Sequence, residues 1–223
     1  MAKRLNLFLL SLSLAVFAPC FFVTSASALA IEIEYDYEFS GGTPPEGTPP
    51  PWLTATIDDQ DSPGSVVLRL EATNLTDQEF VGAWLFNLDP TLDVTALTFT
   101  LQSGEAADSL NLSPNAYEGG GSGKYDIQLL WDAKDFTDGD YVEYLITGIS
   151  GLTAESFLYN SFHNNEIKTL LTAAHVQAIG ERDEGSGWIT GGTKIIPEPS
   201  TVALLSAGLA GLFAVRGRRR KKS

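Results

Sequence analysis

Residues 31–39 read IEIEYDYEF, and their alternation is perfect. Ile31, Ile33, Tyr35, Tyr37 and Phe39 fall on one face; Glu32, Glu34, Asp36 and Glu38 fall on the other. Side chains alternate across a strand, so this is a half-buried β-strand with a wet acidic face. A helix of 3.6 residues per turn would scatter the same apolar set around its axis.

The same pattern recurs downstream. Residues 41–51, GGTPPEGTPPP, cannot continue a ladder and read as a surface loop. A second strand is expected over 52–57. The turn 58–64 (DDQDSPG) then leads into a return strand over 65–73. EFVGAWLFNL, 79–88, is rich in aromatic and aliphatic residues and reads as a central strand ended by Asp89-Pro90. Further strands are expected at 94–101, 109–112, 125–131 and 141–147, with a late one at 170–179 and a short apolar pair at Trp188-Ile189. Residues 154–162 fit either a strand or one helical turn. About eight to ten short strands with frequent turns, and no long amphipathic helix, predict an all-β, antiparallel β-sandwich of jelly-roll type. An α/β fold needs helices between its strands, and these are missing.

The two ends differ from this body. Lys3 and Arg4 precede an apolar run over 5–17, and small residues follow, with Ala28 and Ala30 closing an A-x-A pattern. This predicts a signal peptide over 1–30, cleaved after Ala30. Cys20 is the only cysteine, and Pro19 before it disfavours lipidation. Cleavage leaves no thiol, so the body must be held by apolar burial alone. At about 165 residues, 31–196 is long enough for one such core.

Charge is just as unevenly spread. The chain has 14 Lys+Arg against 28 Asp+Glu. Lys3 and Arg4 lie in the leader, and six more basic residues lie after 215. Residues 31–200 keep six basic residues against all 28 acidic ones, a net charge near −22. Such a domain repels phosphate backbones, which excludes nucleic acid as its partner.

Chemistry-bearing motifs are few. His163 and His175 are the only histidines, and no H-E-x-x-H, G-x-S-x-G or nucleophilic Cys pattern occurs. His175 reads as a structural histidine and His163 as a solvated turn residue, so no catalytic residues are assigned. Asp132, Asp135, Asp138 and Asp140 crowd one turn with Gly139, a set of hard oxygen ligands that suits calcium. The EF-hand spacing fails, because Lys134 and Phe136 occupy ligand places. Asp58, Asp59 and Asp61 form a shorter cluster. Trp52, Trp84, Trp131 and Trp188 all sit in or beside strands, where core packing is expected; an exposed subset would suit carbohydrate.

The last 27 residues, PEPSTVALLSAGLAGLFAVRGRRRKKS, have three parts. Pro197, Glu198 and Pro199 open them. Val202 to Val215 is an uncharged run of 14 residues. Arg216, Arg218, Arg219, Arg220, Lys221 and Lys222 close the chain. This layout resembles the PEP-CTERM sorting signal of exopolysaccharide-producing Gram-negative bacteria. The resemblance implies an exosortase as partner, removal of the tail at or near Pro197-Glu198-Pro199, and delivery of the body to the cell surface or its polysaccharide matrix. Fourteen helical residues span roughly 21 Å, short of a roughly 30 Å hydrocarbon core. With the basic end held inside the cell, that suits a temporary membrane stop. Residues 50–59, 74–90 and 173–189 also look like segments of uncharacterised exosortase-dependent surface proteins, which transfer no site residues.

The expectation is therefore an exported, non-enzymatic binding or structural module. It would be held briefly at the inner membrane, with exopolysaccharide as a candidate ligand and calcium as a candidate ion. The alternatives are a polysaccharide hydrolase and a plain single-span anchored protein.

Overall fold

The computed structural model describes residues 30–196, apart from 61, 77, 164, 165, 168 and 169. The expected leader (1–30) lies outside them but for Ala30, and the tail (197–223) lies outside them altogether. The described residues form twelve strands: β1 (Ala30–Glu38), β2 (Leu53–Asp58), β3 (Val66–Ala72), β4 (Phe80–Phe86), β5 (Thr98–Gly104) and β6 (Ser109–Glu118). They continue with β7 (Lys124–Leu130), β8 (Tyr141–Thr147), β9 (Phe162–His163), β10 (Glu166–Ile167), β11 (Thr172–Ile179) and β12 (Gly185–Ile196). Among the described residues no helix is long and apolar enough to cross a membrane.

The chain is all-β and antiparallel, as the alternation predicts. Its topology, however, is a single sheet rather than the two sheets of a sandwich. Ladder pairing runs β6–β7–β4–β11–β12–β1–β2–β3–β8–β5, and the small β9–β10 hairpin attaches to β7. The sheet must curl strongly. Flat, ten strands at about 4.8 Å would separate β6 from β5 by about 43 Å. Yet only residues 105–108 join β5 to β6, a reach of about 18 Å at most. Tyr35 on β1 and Trp84 on β4 stand three strands apart in the order, and their rings meet edge to face at 5.0 Å.

Curling places one face of the sheet inside. Ile31, Ile33 and Tyr35 of β1, with Leu53, Ala55 and Ile57 of β2, are buried. So are Val66, Leu68 and Leu70 of β3 and Val142 and Ile146 of β8. These join Trp84, Phe86, Ile127 and Leu129 from the other end of the sheet in one core. The outward residues of β1 to β3 carry the charge. Lys194 lies 3.6 Å from both Glu32 and Glu34. Arg69 donates to Glu71 and rests 4.1 Å over the Tyr141 ring.

β4 is buried along its whole length, because its outer side is covered too. Leu85 packs there with Tyr125 and Ala173, under Phe39, Tyr117 and Trp188. The segment between β7 and β8 closes one end of the curl. Phe136 is fully buried against Trp84 and Trp131, its carbonyl accepts from Val81 N, and Gly139 N donates to Ala72 O.

Local expectations fail in three places. Residues 94–96 form a 3₁₀ turn, and the strand begins only at Thr98. Asp93 takes Thr95 N (3.0 Å) and Thr95 Oγ1 (2.6 Å), which favours a turn over a ladder. β6 is ten residues long, with a break in register between Leu112 and Tyr117 that a short polar pattern hides. Residues 154–157 form a second 3₁₀ turn, the helical one of the two readings that 154–162 allow. β12 spans twelve residues where two were expected, because its glycines mask a strand.

Candidate functional site

Register divides the loops between two poles. β4 ends at Phe86, opposite Thr172 of β11 and Ile127 of β7. The same pole holds residues 87–97, the 3₁₀ turn Ala154–Phe157 and the paired ends Ala30 and Ile196. The acidic turn 132–140 lies at the opposite pole.

A cavity of about 510 Å³ opens at the first pole. Its walls come from three segments. Residues 87–94 leave β4 and turn at Asp89-Pro90; residues 158–162 run alongside; Pro114 and Asn115 project from the break in β6. Asp126 of β7 fastens two of these together. Its Oδ2 accepts from Leu88 N (3.0 Å) and its Oδ1 from Asn115 N (2.7 Å). Asn115 has φ +49°, a left-handed conformation that Asn tolerates better than most residues. Asp89 fastens the third segment. Its backbone N donates to Ser156 O at 2.8 Å, and its Oδ2 accepts from Tyr159 OH at 2.8 Å.

The chemistry of the cavity is mixed. Leu88, Leu92, Val94 and Leu158 supply an apolar lining. Tyr159 and Phe162, 37% and 38% exposed, stand among the few large apolar side chains left open to water. Asn87 is 3% exposed, and its side-chain Nδ2 has no hydrogen-bond partner. The Asp89 carboxyl is held below the usual carboxylate range by Thr91 N–H, the Thr91 hydroxyl and the Tyr159 hydroxyl. The Tyr159 hydroxyl is correspondingly raised by donating to Asp89.

The acidic turn is rearranged relative to its sequence order. Asp138 Oδ1 accepts from Leu75 N (3.0 Å), and Asp140 Oδ2 accepts from Thr137 N and Oγ1 (2.8 Å each). These two carboxylates hold the backbone. Asp132 and Asp135 converge instead with Asp108, their ligand atoms within 4.8 Å of one another on an exposed surface. Asp108 was invisible as a neighbour because it lies 24 residues before Asp132; the bond from Asp132 N to its Oδ2 (2.7 Å) brings it in. Asp58 caps Gln60 N, Asp59 is nearly buried, and Asp61 is outside the described residues.

Of the tryptophans, Trp52, Trp84 and Trp131 are buried in the core. Trp188 is half-buried and stacks on its cross-strand neighbour His175, ring centroids 4.7 Å apart and 13° from parallel. Burial lowers the His175 pKa. His163 lies on β9. None of Asn87, Tyr159 and Phe162 is flagged by a sequence motif. The only local signal is the Asp89-Pro90 break that ends β4.

The sorting residues Pro197, Glu198 and Pro199, the run Val202 to Val215, the basic end Arg216 to Lys222 and Ala28 of the leader lie outside the described residues. The comparisons bear on the tail. No curated protein and no solved structure matches the chain. Residues 196–220 match the PEP-CTERM protein-sorting motif, which implies export and an exosortase as processing partner. The chain thus carries a C-terminal PEP-CTERM sorting signal, as an exosortase-dependent protein does.

Proposed function

We propose that this is a surface or matrix protein whose tail an exosortase removes, and whose β body is a non-enzymatic binding module. The observation that carries this reading is a boundary. The sorting motif begins at residue 196, where β12 ends. A cut at or near Pro197-Glu198-Pro199 therefore leaves every strand of the sheet whole. The residues Val202 to Val215 would serve as a temporary stop, with Arg216, Arg218, Arg219, Arg220, Lys221 and Lys222 kept inside. Leader and tail also leave the body side by side, since Ala30 and Ile196 are cross-strand partners. Such partners lie about 5 Å apart. Both membrane segments can then hold one pole while the rest of the body folds outside.

A hydrolase would need a carboxylic acid that keeps its proton at working pH. Asp89 and Asp126 share the cavity, but Asp89 is shifted the other way. Each oxygen of Asp126 already holds a backbone amide. The pair is built to shape the cavity, which favours binding over turnover. The test of processing replaces Pro197, Glu198 and Pro199 by alanine in the producing cell. The variant is expected to stay in the membrane at full length. A mature mass and release unchanged from the wild type would sink the sorting role.

A further inference from the structure

The cavity beyond Phe86 carries charge of one sign. Asp89 and Asp126 line it, and no Lys, Arg or His is among its described lining residues. Neither carboxylate has a basic partner among the described residues. Asp126 is buried and its oxygens hold two backbone amides, so it acts from within the wall through its field. Asp89 is half-buried. Its Oδ1 accepts from Thr91 N (2.8 Å) and Thr91 Oγ1 (2.7 Å), and its Oδ2 accepts from Tyr159 OH. A carboxylate offers about four lone-pair sites, so Asp89 keeps one, on Oδ2, for a ligand. The same three donors hold Asp89 below the usual carboxylate range, which makes it an anion at neutral pH.

These groups narrow what the ligand can be. An anion would face two carboxylates and a net charge near −22 over residues 31–200. A neutral ligand would gain nothing from that field. Asn115 and Asn160 do not discriminate by charge, since an amide presents either its oxygen or its nitrogen. A cation gains from the field and from the rings. Tyr159 and Phe162 line the cavity and leave much of their surface open to water, and the face of an aromatic ring attracts positive charge. The Tyr159 hydroxyl donates to an anion, which makes its ring richer in electrons. A bare metal ion wants several hard oxygens at once. Here three of the four Asp89 sites and both Asp126 oxygens are already engaged. Leu88, Leu92, Val94 and Leu158 add an apolar lining that a metal ion cannot use and an aliphatic stem can. The volume, about 510 Å³, lies inside the roughly 300–1,000 Å³ range of small-molecule sites.

We propose that the cavity between residues 87–94, 114–115 and 158–162 binds an organic ammonium group carried on an aliphatic stem. In this site the ammonium group donates to Asp89 Oδ2 and lies against the rings of Tyr159 and Phe162. The field of Asp126 adds to its retention, and the leucines and Val94 take the stem. The proposal rests on reading the body as a binding module and names its ligand class.

The test uses the full chain purified in detergent, with micelles alone as the blank. The probes for calorimetric titration are Nα-acetyl-lysine methylamide, its neutral Nε-acetylated counterpart, Nα-acetyl-glutamate methylamide as the anion, and spermidine. The lysine probe or spermidine is expected to bind roughly tenfold or more tightly than the neutral and anionic probes. Whichever of the two binds better tells a protein-borne ammonium group from a free polyamine. D89N and F162L are each expected to weaken that binding roughly tenfold or more. D89N removes the charge and keeps the shape. F162L removes the ring and keeps an apolar side chain at an exposed position, so it carries the test if D89N melts early. E181Q removes an exposed charge in the turn after β11, at the opposite pole, and should leave the affinity unchanged. Three results overturn the proposal: no binding by either amine, equal binding by the neutral counterpart, or an equal loss in E181Q and D89N. Exopolysaccharide from the producing cells separates this site from the reading it rests on. If it binds and neither amine does, the module stands and this site falls. If neither it nor an amine binds, both fall.

Discussion

Tyr35 shows how a single hydroxyl can order two ends of a curled sheet. Thr172 Oγ1 donates to Leu85 O at 2.6 Å, so its proton is committed. Tyr35 OH must then donate to Thr172 Oγ1, at 2.7 Å, and accept from Trp84 Nε1. The chain of bonds runs in one direction, from Trp84 through Tyr35 and Thr172 to the backbone of β4. All of it is buried, and burial raises the Tyr35 pKa despite its bonds with Thr172 and Trp84. Tyr35→Phe keeps the ring but leaves the Trp84 indole N–H without its acceptor. The expected loss is about 1–3 kcal/mol, or a fall of several degrees in melting temperature. T172V, which keeps the shape of the side chain, should fall by a similar amount. The double variant should lose less than the sum, because both changes break one chain. Melting temperatures equal to wild type would refute the directed chain. That Tyr35 points inward is legible from the alternation of 31–39. That its partner is Thr172, 137 residues away, is not, because no local pattern encodes a contact across the curl.

Among the elements, β12 departs furthest from its sequence pattern. Strand patterns are recognised by branched and aromatic side chains, and Gly185, Gly187, Gly191 and Gly192 supply none. Two of these adjacent glycines have opposite structural reasons. A methyl group on Gly191 would overlap the Glu34 carbonyl and crowd Tyr35 Cα, both backbone. This is where the β1–β12 register shifts between Tyr35 and Tyr37. Gly192 has open space around it and no left-handed φ. G191A should therefore cost about 1–3 kcal/mol or more, since backbone rather than a flexible side-chain tip must yield. G192A should be neutral or stabilise by up to about 1 kcal/mol, because alanine loses less freedom in a strand. Urea unfolding of the two variants side by side checks this, and equal effects would contradict the close approach at Gly191. The better-patterned strands were legible. β1, β2, β3, β7, β8 and β11 fall within two or three residues of expectation, since each has one face in the core. At 94–101 the alternation suggests a strand, but the Asp93 cap takes the first turn.

At the scale of the molecule, alternation reveals how many strands face a core and not how they are ordered. A sandwich and one curled sheet bury the same residues, so the choice between them lies in pairings such as β4–β11 that join distant segments. The cavity is equally hidden, since Asn87, Asp126 and Tyr159 converge only after the curl has formed. The ordering does fix where the body's ends lie. β1 opens and β12 closes the described chain as an antiparallel pair, with Ala30 opposite Ile196. Joining Ile196 to Ala30 by an Asn-Gly pair would make an ordinary tight hairpin. New ends can then be opened in the exposed turn 181–184 between β11 and β12, where few backbone bonds would be lost. This circular permutant contains residues 30–196 alone. It should fold with a melting temperature within a few degrees of the same residues in natural order, and it should show the same near-ultraviolet circular dichroism from the buried Trp84. A permutant that stays unfolded, while the natural order folds, would mean that the two ends are not neighbours. The picture of leader and tail holding one pole of the body would then have to be abandoned.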